Sequence, residues 1–230
     1  MNNLQPSLRD ALRSANWAKT LTPEQMARVE ADTIETFVPK GGFVCRKGEP
    51  GAHWIGIISG MVKMNNFSAS GKSVTFTGVP PGGWFGEGTL LKSELLKYDA
   101  MALRDSRIAR LPAATFHWLL EGSLPFTRFL LVQLNERLGQ FIGTVENDRL
   151  LDLDTRVARC LAAMFNSQLY PGLEQLVQIS QEELGLLSGA SRQRANQALQ
   201  VLEKQGLLRL DYGGIRILDL DGLRRYEGCG

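Results

Sequence analysis

The stretch that decides the fold reads ISQEELGLLSGASRQRANQALQVLEKQGLL, from Ile179 to Leu208. Ser180 and Glu183 stand three apart, the spacing of a capping box: the hydroxyl bonds the amide three residues on and the carboxylate reaches back. Gly189 follows Leu186-Leu187, where a helix C-terminus favours glycine. Ser191 then caps a second helix whose buried face is Ala195, Leu199 and Leu202, and Gly206 ends it. Its N-terminal polar face, Ser191, Arg192, Gln193, Arg194, Asn196 and Gln197, has no evident role in a core. A short helix offering Arg, Gln and Asn at its exposed start suits base edges in a DNA major groove. Leu207–Leu210, the Asp211–Gly214 turn and Ile215–Leu218 follow as a β-hairpin, which makes the unit a winged helix–turn–helix. Upstream, Thr155–Phe165 reads as a supporting amphipathic helix, with Val157, Cys160, Leu161 and Met164 on one face.

Before that unit, Leu131, Leu134, Leu138, Phe141 and Val145 recur at spacings of 3, 4, 3 and 4. This is a coiled-coil-like seam, and with Ile142 beside it the expected dimerisation face. Gly139 and Gly143 interrupt the helix. Each costs about 1 kcal/mol relative to alanine, so close approach of a partner helix or a ligand is expected there. The first half of the chain has another texture. Thr33–Val38, Phe43–Arg46, Trp54–Ser59, Met61–Phe67, Ser73–Val79 and Arg107–Leu111 are candidate strands, punctuated by glycine-rich turns. Short strands at such intervals predict a sandwich or barrel. Leu8–Trp17 and Pro23–Val29 predict helices ahead of it, the second capped by Thr22 before Pro23. The expected fold class is α+β, with an N-terminal helix and barrel domain over 1–122, a dimerisation helix and hinge over 123–151, and the winged helix–turn–helix over 152–230.

Composition excludes several classes. The chain has 230 residues, 43% of them hydrophobic and 22% charged, normal for a globular protein. No apolar run approaches the roughly 20 residues that span a bilayer, and the N-terminus lacks a secretory h-region. Cys45, Cys160 and Cys229 are far apart and odd in number, so free thiols and a cytoplasmic location are expected. A cupin-type barrel enzyme needs clustered metal ligands, and the two histidines, His53 and His117, lie 64 positions apart. No metal site and no catalytic residue is expected. Net charge is only +2, and from Gln181 onward seven acidic residues balance seven basic ones. DNA binding must therefore rest on local charge and on a dimer.

Together these segments resemble the Crp/Fnr family, the cyclic-AMP-receptor-like bacterial transcription regulators, over nearly the whole chain. Val38–Leu111 is similar to the family's cyclic-nucleotide-binding β-roll, with Gly60 and the GGWFGE segment at 82–87 at its glycine-rich positions. Leu124–Asp148 is similar to the dimerisation helix and Ser180–Gly206 to the winged helix–turn–helix. The resemblance implies a homodimer on palindromic double-stranded DNA, with RNA polymerase as a further partner. It places Arg192 on a guanine, Gln193 where glutamate is common and Gln197 where a second arginine is common. Glutamine pairs with adenine, so the half-site is expected to depart from TGTGA. Arg194 and Ser191 are expected on phosphates, with backbone contacts from Gln178, Ser180 and Gln181.

For the effector, the family uses a glycine turn, a glutamate for the ribose hydroxyl and an arginine for the cyclic phosphate. Gly86 and Glu87 match, followed by Gly88 and Thr89. The arginine does not: counting forward puts Lys97 there, followed by Tyr98, and counting back puts Leu96 there. Phe141 and Ile142 stand where cyclic-AMP-responsive members carry adjacent hydroxyls. The implied effector is thus a cyclic nucleotide, another small molecule or none. Only Cys45 precedes the dimer helix, so no iron–sulfur cluster is expected. His53 and His117 are haem-ligand candidates only in the sense that any lone histidine is. A competing reading is a cyclic-nucleotide sensor that signals through protein partners, but it has no use for Ser191–Gln197.

Overall fold

The structure, a computed structural model, describes residues 6–68, 70–71, 73–171 and 175–228. Cys229 lies outside them. The chain opens with α1 (Leu8–Ser14), a 3-10 turn (Asn16–Thr20) and α2 (Pro23–Asp32). Eight strands follow: β1 (Ile34–Val38), β2 (Phe43–Cys45), β3 (His53–Ser59), β4 (Val62–Phe67), β5 (Ser73–Val79), β6 (Trp84–Phe85), then, after α3 (Glu87–Lys92), β7 (Asp99–Ala102) and β8 (Ser106–Pro112). They form two antiparallel four-stranded sheets, β1-β8-β3-β6 and β2-β7-β4-β5. The period of two decides what each face does. Ile55, Ile57, Ile108 and Phe85 from the first sheet meet Val44, Val62, Met64 and Ala100 from the second, closing the roll. Trp54, Ile58 and Leu111 point to the other face of the first sheet. There Trp17, Trp54 and Trp84 pack within 4.7–5.4 Å of one another, joined by Phe116 and Phe126. This aromatic cluster fixes α1, α4 (Ala113–Gly122) and the start of α5 (Leu124–Leu150) against the roll.

The expected strands are present, as is the long helix. The expected helix Leu8–Trp17 ends at Ser14: Ala15 is extended, and the 3-10 turn swings Trp17 into the aromatic cluster. The short β6 and β7 and helices α3 and α4 were not legible, because each is too brief or too uniformly apolar to show a period.

Beyond α5 lie α6 (Leu153–Ala163), β9 (Leu176–Val177), α7 (Gln181–Ser188), α8 (Arg192–Lys204), the hairpin β10 (Leu208–Asp211) and β11 (Gly214–Ile217), and α9 (Leu220–Arg225). Asp152 caps α6, its carboxylate accepting from the Asp154 and Thr155 amides at 2.9 and 3.0 Å. The Ser180–Glu183 capping box is formed, Gly189 is left-handed at φ 68°, and Ser191 accepts from the Arg194 amide. Val157, Leu161, Leu184, Leu199, Leu202 and Ile215 share one buried core, and β9 adds a third strand to the wing in the order β10-β11-β9.

Candidate nucleic-acid interface and effector chamber

Helix α8 is divided by its packing. Ala195, Ala198, Leu199 and Leu202 are fully buried, while Ser191, Arg192, Gln193, Arg194 and Gln197 stand exposed along one edge. Gln178 and Ser180 are exposed near the start of α7. Gln181 and Asn196 are half-buried because they hold each other: the Gln181 amide donates to Asn196 Oδ1 at 2.7 Å, tying α7 to α8. Arg194 donates to Gln197 Oε1 at 2.7 Å and lies 3.5 Å from Asp154, so its charge is shared with its neighbours. Tyr212, at the tip of the wing hairpin, is fully exposed. This arrangement presents hydrogen-bonding side chains on a rigid two-helix platform, which is what base and phosphate recognition requires.

The expected effector residues gather at the head of α3, with one exception. Gly86 takes a left-handed φ of 99°, and Glu87 follows it as the first residue of the helix, 1% exposed. A carboxylate that deep needs partners. Arg137 of α5 supplies them, donating through Nε to Glu87 at 3.0 Å and through Nη2 to the Trp84 carbonyl at 2.7 Å. Trp54 Nε1 adds a longer bond of 3.4 Å. Burial opposes the Arg137 charge, but Glu87 and the phenols of Tyr170 and Tyr98 outweigh it and hold the guanidinium above its ordinary value. Arg137 Nη1 is buried and has no partner among the described residues. Burial also pushes the Tyr98 phenol up, with Glu87 adding to the effect. Tyr98 packs within 6.4 Å of the Phe85 ring.

Lys97 is the exception. Its ammonium lies in solvent, 3.0 Å from Glu94, while Leu96 is buried in the roll. The forward count thus gives way to the backward one: Leu96, with no charge to offer, faces the chamber. Thr89 is buried beside Gly86, and a cavity of 160 Å³ lies there, walled in part by Arg110, His53, Cys45 and Leu96. Small-molecule sites measure about 300–1,000 Å³.

On α5, Leu131, Leu138, Ile142 and Val145 are exposed, and Leu134 and Phe141 are half-buried. The opposite face holds Phe126, Leu130, Gln133 and Arg137 against the roll. A methyl group at Gly139 or Gly143 would meet nothing within 4 Å among the described residues, so none of these makes a close approach to either. Both border a larger cleft of 860 Å³ between α5 and the helices that follow it.

Residues 35–123 match the cyclic nucleotide-binding domain, and residues 155–226 match the Crp-like helix–turn–helix domain. The chain belongs to the Crp/Fnr family of transcription regulators. Its DNA-binding domain is the helix–turn–helix, and its sensor domain is of the cyclic nucleotide-binding type. This Crp/Fnr regulator is 26% identical, over 94% of its length and 98% of the relative's, to the CRP-like cAMP-activated global transcriptional regulator of Mycobacterium tuberculosis. It is 28% identical to the Cyclic AMP receptor protein of Thermus thermophilus over 86% of this chain and 89% of that one. The fold is shared with FixK2 of Bradyrhizobium japonicum, with a TM-score of 0.70, 18% identity and coverage of 86% and 98%. Among the described residues no helix is long and apolar enough to cross a membrane.

Arg137 was missed in the sequence. A lone arginine in an amphipathic helix reads as a solvated charge, and its partner Glu87 is 50 positions away. The available signal is that Gln133, Arg137, Gln140 and Thr144 form a second stripe, at spacings of 4, 3 and 4, on another side of the seam helix.

Proposed function

We propose that this Crp/Fnr regulator acts in the cytoplasm as a homodimer that reads a palindromic DNA site, with no catalytic activity of its own. The exposed edge of α8, set against its fully buried opposite face, carries this reading. Arg192 pairs with guanine O6 and N7, Gln193 and Gln197 favour adenine, and Arg194 and Ser191 contact phosphates. The exposed apolar face of α5 pairs with that of a second copy. Two α8 helices then enter successive major grooves about 34 Å apart. RNA polymerase is the further partner at the promoter.

The sensor departs from cyclic-AMP chemistry at two places. Leu96 offers no countercharge to a cyclic phosphate, and burying an unpaired anion is costly. Phe141 and Ile142 offer no side-chain hydrogen bond to a base. The effector, where one acts, therefore differs from cyclic AMP or uses Arg110, in the cavity wall, as its cation. Selection of bound DNA from a random pool, with and without cyclic AMP, tests both parts. A palindrome rich in G at the Arg192 position, recovered equally in both arms, is expected. Recovery of no common sequence under either condition overturns the DNA reading.

A further inference from the structure

The DNA-binding domain places two of its own side chains inside the sensor. Leu169 and Tyr170 follow α6, within the helix–turn–helix match, yet they are 2% and 1% exposed and belong to the core between the two sheets of the roll. The Tyr170 ring lies against Gly83, where a methyl group would come within 2.9 Å of it. Its phenol donates to Gln140 Oε1 on α5 at 3.2 Å, and that hydroxyl lies within electrostatic reach of Arg137.

The segment around it is built to hold this pose. Asn166 Oδ1 accepts from the Gln168 and Leu169 amides, and the Asn166 carbonyl accepts from the Tyr170 amide at 2.7 Å. The Asn166 side chain donates to Glu136 on α5 at 3.1 Å. From the N-terminal region, Asn16 donates to the Ser167 carbonyl at 2.8 Å. Two further contacts join the same surfaces. Arg104, beside β8, pairs with both carboxylate oxygens of Glu183, and Leu187 of α7 fits over Gly78 of β5.

We propose that Asn166–Tyr170 is an intramolecular latch: Tyr170, seated in the roll next to Arg137 and Gln140, holds the DNA-binding domain against the sensor, and its withdrawal frees that domain to move about the hinge at Leu151–Asp152. Any event that widens the space between Val79, Gly83 and α5 unseats the phenol, so the state of the sensor reaches α7 and α8 through a side chain of the reader itself. The latch does not depend on which effector the roll takes. Absence of a cyclic-AMP response in the DNA selection leaves it standing.

Hydrogen exchange on the full chain tests it, comparing the wild type with Tyr170→Ala, Tyr170→Phe and Gly83→Ala. The latch requires that Tyr170→Ala and Gly83→Ala each raise exchange at least tenfold in two separate places, residues 78–83 of the roll and 180–188 of the reader. The wing hairpin, residues 208–217, keeps its protection. Tyr170→Phe, which retains the ring and loses one bond, produces a smaller rise at the same two places. Gly83→Ala crowds Val79 as well as the Tyr170 ring, so it is its rise at 180–188, away from the substituted turn, that decides the matter if Tyr170→Ala does not fold. Unchanged exchange at 180–188 in the folded variants overturns the latch, and so does a uniform rise that includes the wing.

Discussion

Arg137 of the long helix and Glu87 at the head of α3 form a buried ion pair at 3.0 Å, 50 residues apart in sequence. It joins the long helix α5 to the glycine turn of the sensor. Removing one partner of such a pair leaves a charge without compensation, which costs about 3–5 kcal/mol. Arg137→Met should lower stability by that amount in urea denaturation. Glu87→Gln added to Arg137→Met should recover much of it, because the stranded charge is gone. Equal stability of the single and double variants would show that the cost is packing alone.

Arg192 and Arg194 lie two residues apart on α8 but have different environments. Arg192 stands exposed, while Arg194 is already engaged with Gln197 and Asp154. Arg192→Ala should erase preference for the selected site, a loss of about 1–3 kcal/mol confined to that site. Arg194→Ala should weaken binding to every sequence alike and flatten the salt dependence. Titrations of specific and random duplexes at fixed salt distinguish the two.

Leu138 and Ile142 lie on the exposed face of α5 at 58% and 60% exposure. Replacing both with glutamate should give a monomer in sedimentation at micromolar concentration and abolish binding to the palindrome. A dimer that survives both changes would place the interface elsewhere.

Asp152 caps α6 at the hinge, and its pKa lies below the ordinary aspartate value of 3.8, chiefly because the Thr155 hydroxyl donates to it. A carboxylate depressed in the fold contributes stability above its unfolded pKa and loses it as pH falls through the folded value. Acid should therefore weaken the hinge cap below about pH 4. Asp152→Ala should cost about 1 kcal/mol at neutral pH. Asp152→Asn, which still caps but does not titrate, should keep most of the stability and lose the acid dependence, read from melting temperatures across that range.

Desolvation pushes the thiols of Cys45, which is buried, and of Cys160, which is half-buried, up to about 12. Thiolates are the reactive form, so neither should be alkylated at pH 8 in the native protein. Peptide mapping after brief iodoacetamide treatment should find both unmodified until denaturant is added.

The helix–turn–helix was legible because its caps, turn glycine and apolar spacing are all local. Ser180, Glu183, Gly189 and Ser191 each act within a few residues of themselves. The seam of α5 was legible for the same reason. The sensor was less so. A single residue of difference between Glu87 and β8 decides whether Leu96 or Lys97 turns inward, since neighbouring side chains in an extended segment face opposite ways. The pairing of β7 with its neighbours, together with the backbone bonds of Leu96 to Gly48 and Glu49, sets that register. Arg137, Arg104 and Tyr170 take their meaning from partners 50, 79 and 30 positions away, and no local pattern marks them.

The apolar face of α5 has a consequence for the cell as well as for the fold. A chain that leaves Leu131, Leu138, Ile142 and Val145 uncovered has a reason to find its own copy. Pairing of that kind ties stability to abundance by mass action, so each added copy protects those already made. In the proposed homodimer synthesis rate becomes a control input: at low abundance the chains are unpaired and less stable, and the amount of paired regulator rises more steeply than linearly with its production.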